Sequence, residues 1–215
     1  MPKRSTLLLI VVACMVLGWF LAHPPGSEVS PETRTLLANS RCPLPPRVAA
    51  GAPPRQTDAP SGLVLPAVAG ARLTPLAGFS VEAHVLGVEN YWFDDGAKYA
   101  PTDLALGWGR MRDPAVLSQL SFSQGSRFFH YRWRSAPPIP PAEITRSASN
   151  MHIIPAGDEV ASALRDLEAG DNVRIDGWLV RIDRADGWHW ISSLRRDDSG
   201  DGACELVYAC TITRD

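Results

Sequence analysis

The sequence predicts a mainly β domain of the α+β class that follows a membrane anchor and a proline-rich tether. Three observations support this prediction. Residues 7–22 form an apolar run without charge, 11 of the 19 prolines fall within residues 23–78, and six of the seven tryptophans follow residue 78. We therefore divide the chain into a transmembrane anchor at residues 1–22, a disordered tether at 23–78 and a globular domain at 79–215, whose length is typical of one domain.

The N-terminal run is predicted to be a single transmembrane helix that is not cleaved. Its 17 residues, 6–22, would span about 25 Å, near the lower limit for crossing a bilayer core. The run is longer than the core of a signal peptide, and Phe20 stands where a cleavage site needs a small residue. Lys3 and Arg4 should remain in the cytoplasm, because positive residues flank that end of an anchor. The chain is thus expected in the inner (cytoplasmic) membrane, with its domain periplasmic or extracellular.

The tether is predicted from its proline content. Proline has no amide hydrogen and fixes φ, so helices and central strands do not tolerate this density of prolines. Residues 23–78 also contain few bulky apolar side chains that could offset the entropy of ordering the chain. We expect an extended spacer with a short helix at residues 31–39, and a proline-rich docking ligand is the alternative.

Within the domain, hydrophobic periodicity and turn residues predict a series of short elements. They are a strand at 79–85, a turn at 94–96, a helix from 114 to about 120, an aromatic strand at 127–134, a proline loop at 137–141, a helix at 159–168, and strands at 173–182, 188–194 and 204–213. Asp113 has the residue type of an N-cap and precedes a proline at the first helical position. The apolar positions change parity at residues 176–177, which indicates a bulge because glycine permits one.

The C-terminal part carries two resemblances. A predicted helix is followed by AGDNVRIDGWLVRI, a strand that curls at glycine, and then by further short strands. This arrangement resembles the start of an oligonucleotide/oligosaccharide-binding (OB) barrel, expected at about residues 158–215. The stretches PTDLALGWG, SNMHIIPA and SSLRRDDSGDGACELVY are also similar to those of a family of bacterial membrane-anchored proteins with an OB-like C-terminal half. The family has no established activity, so the resemblance implies a curved barrel without selecting a function.

The four cysteines leave several interpretations open. Cys14 resembles the lipidated residue of a bacterial lipobox, although the apolar run that continues after it favours an ordinary helix residue. Cys42, Cys204 and Cys210 are expected outside the cytoplasm, where disulfides form. A regular strand would hold Cys204 and Cys210 about 20 Å apart, too far for a bond between them. Buried thiols, a disulfide between Cys42 and one of the other two, and a reactive thiol remain as alternatives.

Cys204, His152 and Asn150 are the catalytic candidates of an alternative in which the chain is an extracytoplasmic hydrolase. These residue types form nucleophile sites when the thiolate lies beside an imidazole that a third polar group holds. No nucleophile signature surrounds Cys204, and the neighbouring Glu205 would raise the pKa of the thiol. His152 is expected instead to be a structural residue in a turn at 149–155, and the preferred prediction has no catalytic residue.

Metal and cofactor signals are sparse. Asp197 and Asp201 place oxygen atoms at alternate positions before a glycine, in partial imitation of a calcium loop. Position twelve of that loop would be Tyr208 rather than a bidentate glutamate, so a solvated acidic turn is favoured. The five scattered histidines have no zinc spacing. Residues 94–95 and Asp103 are interpreted as turn and cap residues rather than as catalytic carboxylates, and we predict neither a metal nor a cofactor.

The aromatic content of the domain is its most suggestive feature. Aromatic side chains near arginines can stack on ligands, and tryptophans of the core are the alternative. The predicted ligand-binding residues are Trp188, Trp190, Trp133, Arg132, Arg195 and Arg196. The domain has 14 basic against 20 acidic side chains, a net charge of −6, which disfavours nucleic acid. We therefore predict a non-enzymatic envelope protein that contacts the membrane through residues 6–22 and binds a protein, peptide or glycan.

Overall fold

The main β-sheet of this protein closes on itself. A computed structural model describes residues 42–214. Its strands are β1 Arg55–Asp58, β2 Arg72–Asn90, β3 Thr102–Gly107, β4 Leu120–Gly125, β5 Phe128–Trp133, β6 Ala148–Pro155, β7 Asn172–Asp183, β8 His189–Ile191 and β9 Glu205–Arg214. Its helices are a 3₁₀ turn at Gly109–Arg112 and the α-helices α1 Pro114–Leu117, α2 Pro141–Ser147 and α3 Asp158–Arg165.

Five of the strands form the ring, in the order β2–β3–β6–β9–β7, and β7 pairs again with β2. All of these pairs are antiparallel except β6 with β9, which run parallel. The short strands β1 and β8 extend the sheet beside β2 and β7, and β4 pairs with β5 in a separate hairpin. The predicted mainly β architecture with a curved sheet is confirmed, with three short α-helices instead of one or two.

Alternate residues of the ring strands form the main hydrophobic core. Phe79 of β2, Leu104 of β3 and Ile153 of β6 are fully buried in it, and Leu164 of α3 packs against them. Burial of each such side chain contributes about 1.5–3 kcal/mol. The core therefore explains why alternation was readable at residues 79–85 of β2, where every second side chain is buried in it.

Strand β7 is apolar on both faces, which explains its change of parity. Ile175 belongs to the main core, whereas Trp178 belongs to a second cluster on the other face of the strand. The bulge predicted at residues 176–177 is present as a register shift against β9. Glycine is required at 177, because a Cβ there would approach the carbonyl oxygen of Tyr208 to 2.1 Å.

Residues 42–71, hereafter the N-terminal segment, cover that outer face of β7, although the sequence assigns them to the tether. Cys42 forms a disulfide with Cys210, with a Cα–Cα distance of 5.4 Å. The indole Nε1 of Trp178 donates a hydrogen bond of 2.8 Å to the carbonyl oxygen of Pro43. This disulfide is one of the alternatives that the sequence left open, and it leaves Cys204 as the free thiol among residues 42–214.

The predicted boundary between tether and domain also differs from the structure. The boundary at residues 78 and 79 falls inside β2, and β1 lies wholly within the predicted tether. Pro75 is accommodated in β2 because a register shift against β7 occurs between Pro75 and Ala77, and proline is tolerated at bulges. A high proline content therefore did not exclude strands here.

The remaining differences concern helix ends and one turn. The N-cap prediction is confirmed, since the Asp113 carboxylate accepts a 2.8 Å hydrogen bond from the amide of Ala115, but α1 is shorter than expected. Pro141 begins α2 rather than ending a loop, because proline fits the first turn of a helix. His152 lies in β6 instead of a turn.

No helix within residues 42–214 is long and apolar enough to cross a membrane. The predicted anchor at residues 6–22 and the short helix predicted at residues 31–39 lie outside the described part of the chain.

Candidate functional site

The connection between β2 and β3, residues 91–101, is the aromatic loop. Trp92 and Phe93 are 77% and 100% exposed at its start. The loop then turns tightly, since the amide of Ala97 donates to the carbonyl oxygen of Asp94 at 3.1 Å. Gly96 is required in this turn, because a Cβ would approach the Trp190 ring to 2.8 Å. The loop thus presents two adjacent aromatic side chains from a closely packed base.

Arg127, at the tip of the β4–β5 hairpin, holds this loop. Its guanidinium donates to both carboxylate oxygens of Asp94, at 3.0 and 2.8 Å, and to the carbonyl oxygen of Ala100 at 2.9 Å. It also lies 3.7 Å above the Tyr91 ring, and its backbone amide donates to the Tyr91 hydroxyl at 3.0 Å. Burial would raise the pKa of Asp94, but the hydrogen bond and charge of Arg127 outweigh it and hold that pKa below its usual value.

The same guanidinium reaches the ring through Asp103 of β3. This carboxylate is fully buried and accepts hydrogen bonds from Arg127 Nη1 at 2.8 Å and from Asn150 Nδ2 at 3.0 Å. His152 Nδ1 lies 2.8 Å from the same carboxylate. In the tautomer with the proton on Nδ1, His152 donates a hydrogen bond to this carboxylate. The turn and cap role predicted for Asp103 is thus replaced by the centre of a buried polar network, which is defined by Arg127, Asp103, Asn150 and His152.

An aromatic stack supports the other side of the loop. The Trp190 ring lies 4.6 Å from the His152 ring and 6.3 Å from Trp188, measured between centroids. Trp188 stacks on Tyr99 of the aromatic loop at 5.6 Å, and the Arg184 guanidinium lies 5.5 Å from the Trp188 ring. Trp188 and Trp190 are therefore half-buried supports of the loop rather than an open stacking platform.

The structure separates the other predicted ligand-binding residues from this stack. Trp133 and Arg132 are exposed at the open end of the β4–β5 hairpin. Arg195 is exposed and pairs with Asp197 at 3.1 Å. The six predicted residues thus do not form one surface.

Arg196 has a different environment from the one predicted. Its guanidinium contacts the buried carboxylate of Glu205, lies 5.3 Å from the Phe79 ring and donates to Gln56 Oε1 at 2.7 Å. Burial lowers the pKa of Arg196 to about 10, against the opposing charge of Asp198. This side chain stays cationic at neutral pH and packs against core residues, so it is poorly placed to reach a ligand.

The catalytic candidates lie together, but not in the arrangement of a nucleophile and its base. The Cys204 thiol donates to the carbonyl oxygen of Arg127 at 3.7 Å, and His152 Nδ1 is engaged by Asp103. Burial, followed by the charge of Asp103, raises the pKa of the Cys204 thiol to about 11, although a hydrogen bond from Asn150 opposes the shift. The thiol is therefore protonated at neutral pH, whereas nucleophilic catalysis uses the thiolate.

The weak metal candidates lie on the connection between β8 and β9. Asp197 pairs with Arg195, whose hydrogen bond lowers the pKa of this carboxyl. Within residues 42–214, no three histidine, cysteine, aspartate or glutamate side chains are grouped closely enough to hold a metal ion.

Three residues of the site were not predicted, because Arg127, Trp92 and Phe93 are absent from the predicted ligand-binding residues. A usable signal was present at Asp103, because a charged residue in the apolar run TDLALG requires a buried partner if that run is a strand. The sequence does not show which arginine would pair with the Asp103 carboxylate.

No protein-family model, no curated protein and no solved structure matches the chain. The resemblance to a bacterial membrane-anchored family therefore stays a prediction.

Proposed function

We propose that this chain is a membrane-anchored, non-enzymatic envelope protein whose barrel docks a partner protein through the aromatic loop. One observation carries the proposal: Trp92 and Phe93 are adjacent, almost wholly exposed, and held on a braced loop. Large aromatic side chains are the commonest energetic anchors of protein interfaces. Exposing both to water is unfavourable unless a partner covers them.

The strand order supports an OB-type barrel for residues 72–214, a larger part of the chain than the 158–215 expected from the sequence. An OB barrel is a five-stranded, partly open barrel whose ligands contact its second and third strands and two of its connections, L12 and L45. In the ring described above these are β3, β6, the aromatic loop and residues 184–204. The exposed aromatic pair thus belongs to a connection that OB folds use for binding.

A protein partner is favoured over a small ligand at this position. The outer face of β3 and β6 is filled by the buried polar network and the β4–β5 hairpin, with Gln124 donating to Asn150 Oδ1 at 2.9 Å. A sugar or nucleotide would need an open groove there. Trp92 and Phe93 remain exposed, and the adjacent Asp95 is 77% exposed although it lies 3.9 Å from Arg184. A complementary partner would offer an apolar pocket bordered by a basic side chain.

The Cys42–Cys210 disulfide supports a location outside the cytoplasm, because such bonds persist in oxidising compartments. It does not test the anchor, which we retain as part of the proposal. Because residues from 42 onward belong to the folded domain, the linker between anchor and domain shrinks to residues 23–41.

Affinity capture from membranes of the producing cell tests the docking surface. The full chain carrying a tag is solubilised in mild detergent, and recovered proteins are compared with those from Trp92→Ala/Phe93→Ala. Trp133→Ala is the matched control, because Trp133 is a partly exposed aromatic residue on a different surface. We expect a protein recovered with wild type and control to fall at least tenfold with the double variant. Equal recovery from all three chains would refute the proposed surface.

A further inference from the structure

The tip of the β4–β5 hairpin is strained. Ser126 and Arg127 are its two central residues, with φ values of 52° and 69° in the left-handed region. Positive φ at both positions is what a type I′ turn requires, and Asn-Gly is the favoured pair there. Side chains with a Cβ are disfavoured in this conformation. Arginine thus occupies position 127 against the conformational preference of the turn, and strain of this kind is concentrated at functional positions.

The contacts of Arg127 explain what this side chain supplies. The guanidinium reaches the aromatic loop at its start over the Tyr91 ring, at its turn through Asp94 and at its end through Ala100. A fourth contact, to Asp103, fixes the guanidinium to the barrel. The planar guanidinium can donate to several acceptors in a fixed geometry, which a lysine ammonium cannot reproduce.

We propose that Arg127 is the positioning residue of the aromatic loop. It holds residues 91–101 in one conformation, so that Trp92 and Phe93 are already ordered when the partner arrives. A preordered loop binds more tightly because the partner does not bear the entropy of ordering it. The ordering of the loop stands on the contacts above, and only its consequence for affinity rests on the proposed function.

Hydrogen exchange in the full chain tests the ordering directly. The variant Ser126→Asn/Arg127→Gly installs the favoured turn pair while removing the guanidinium, so the hairpin should remain folded. The reporters are the amides of Tyr91, Ala97, Tyr99 and Ala100, which donate to carbonyl oxygens of residues 94–101. We expect these amides to exchange at least tenfold faster than in wild type, and by a larger factor than the amides of the ring strands, which also exchange faster because Asp103 loses a buried partner.

Two further variants separate positioning from general stabilisation. Ser126→Asn alone keeps Arg127 and should leave amide exchange in the aromatic loop unchanged. Arg127→Lys keeps the charge without the planar donor geometry, so its loop amides should exchange at a rate between those of wild type and the double variant. Unchanged loop exchange in the double variant would overturn the proposal, as would equal acceleration throughout the domain. A chain that captures no partner would refute the proposed function while leaving this exchange measurement intact.

Discussion

Two segments outside the five-stranded ring are attached to it by different chemistry. The N-terminal segment is held by a disulfide, an indole hydrogen bond, the pairing of β1 with β2, one ion pair between Arg47 and Asp176, and apolar packing. The β4–β5 hairpin packs on its own apolar cluster, but its tip is held by the ion pairs of Arg127. The first attachment depends on redox conditions, and the second depends on charge. The aromatic loop lies between them, because Tyr99 packs in the cluster of the first and Tyr91 contacts Arg127.

Removing the disulfide should have the largest effect on stability. The bond joins residues 168 positions apart, and the loop-entropy relation gives about 5 kcal/mol for a loop of that length. We expect Cys42→Ser/Cys210→Ser to lower the free energy of unfolding by up to this amount in urea titrations. Cys204→Ser is the matched control and should change the midpoint little. A double variant as stable as wild type would show that the noncovalent contacts hold the N-terminal segment without the disulfide.

Breaking the buried polar network should have the second-largest effect on the free energy of unfolding. Asp103→Ala leaves Arg127 and His152 without their shared carboxylate, and loss of one partner of a buried pair costs about 3–5 kcal/mol. The matched control is Glu143→Ala, which removes an exposed bidentate partner of Arg110. Exposed pairs contribute little, so the control should unfold at the same urea concentration as wild type. Equal losses in the two variants would contradict the distinction between these pairs.

A smaller effect is expected from removing the Trp178 hydrogen bond that helps to attach the N-terminal segment. Trp178→Phe keeps a buried aromatic ring but removes part of the indole and its hydrogen bond to the carbonyl oxygen of Pro43. We expect a loss of about 1–3 kcal/mol in the free energy of unfolding from the unpaired carbonyl and the small cavity, with the largest increase in amide exchange in the residues around Pro43. A loss above that of the disulfide variant would reverse our ranking of these contacts.

Acid should loosen the second attachment more than the first. The pKa of Asp94 is lowered in the folded chain, so its ionised form stabilises the braced loop at neutral pH. That contribution is present above the unfolded pKa of about 3.9 and is lost as the pH falls through the lower folded value. We expect loop exchange, corrected for its intrinsic pH dependence, to accelerate below about pH 4. Asp94→Asn should abolish the pH-dependent part, and persistence of that part would assign it to another group.

The sequence was informative where one face of a strand determines the pattern. Alternation found β2 from Phe79 onward, and the Asp113-Pro114 pair located the start of α1. The strand at 173–182 and its bulge were also predicted, but the sequence did not show what covers its outer face, because Trp178 is buried by residues more than a hundred positions away. The tether assignment failed for the same reason, because the contacts that order residues 42–71 are made by β2, β7 and Cys210 rather than by neighbours in sequence.

The candidate site was less predictable than the fold. Trp188, Trp190 and His152 were named from residue type, and they do lie together, but as supports for a loop. The exposed pair at Trp92 and Phe93 depends on a salt bridge between residues 33 positions apart, Asp94 and Arg127. Local periodicity contains no information on such a pairing, so the exposed aromatic pair can be identified only from the folded structure.

Site-specific photocrosslinking in living cells tests the central claim most directly. A benzophenone amino acid replaces Phe93 in the full chain, and a second chain carries it at Val64, which is 83% exposed on the N-terminal segment. We predict one discrete adduct with a partner protein at position 93 and none of that size at position 64. The absence of an adduct at position 93, or the same adducts from both positions, would contradict a partner-docking role for the aromatic loop.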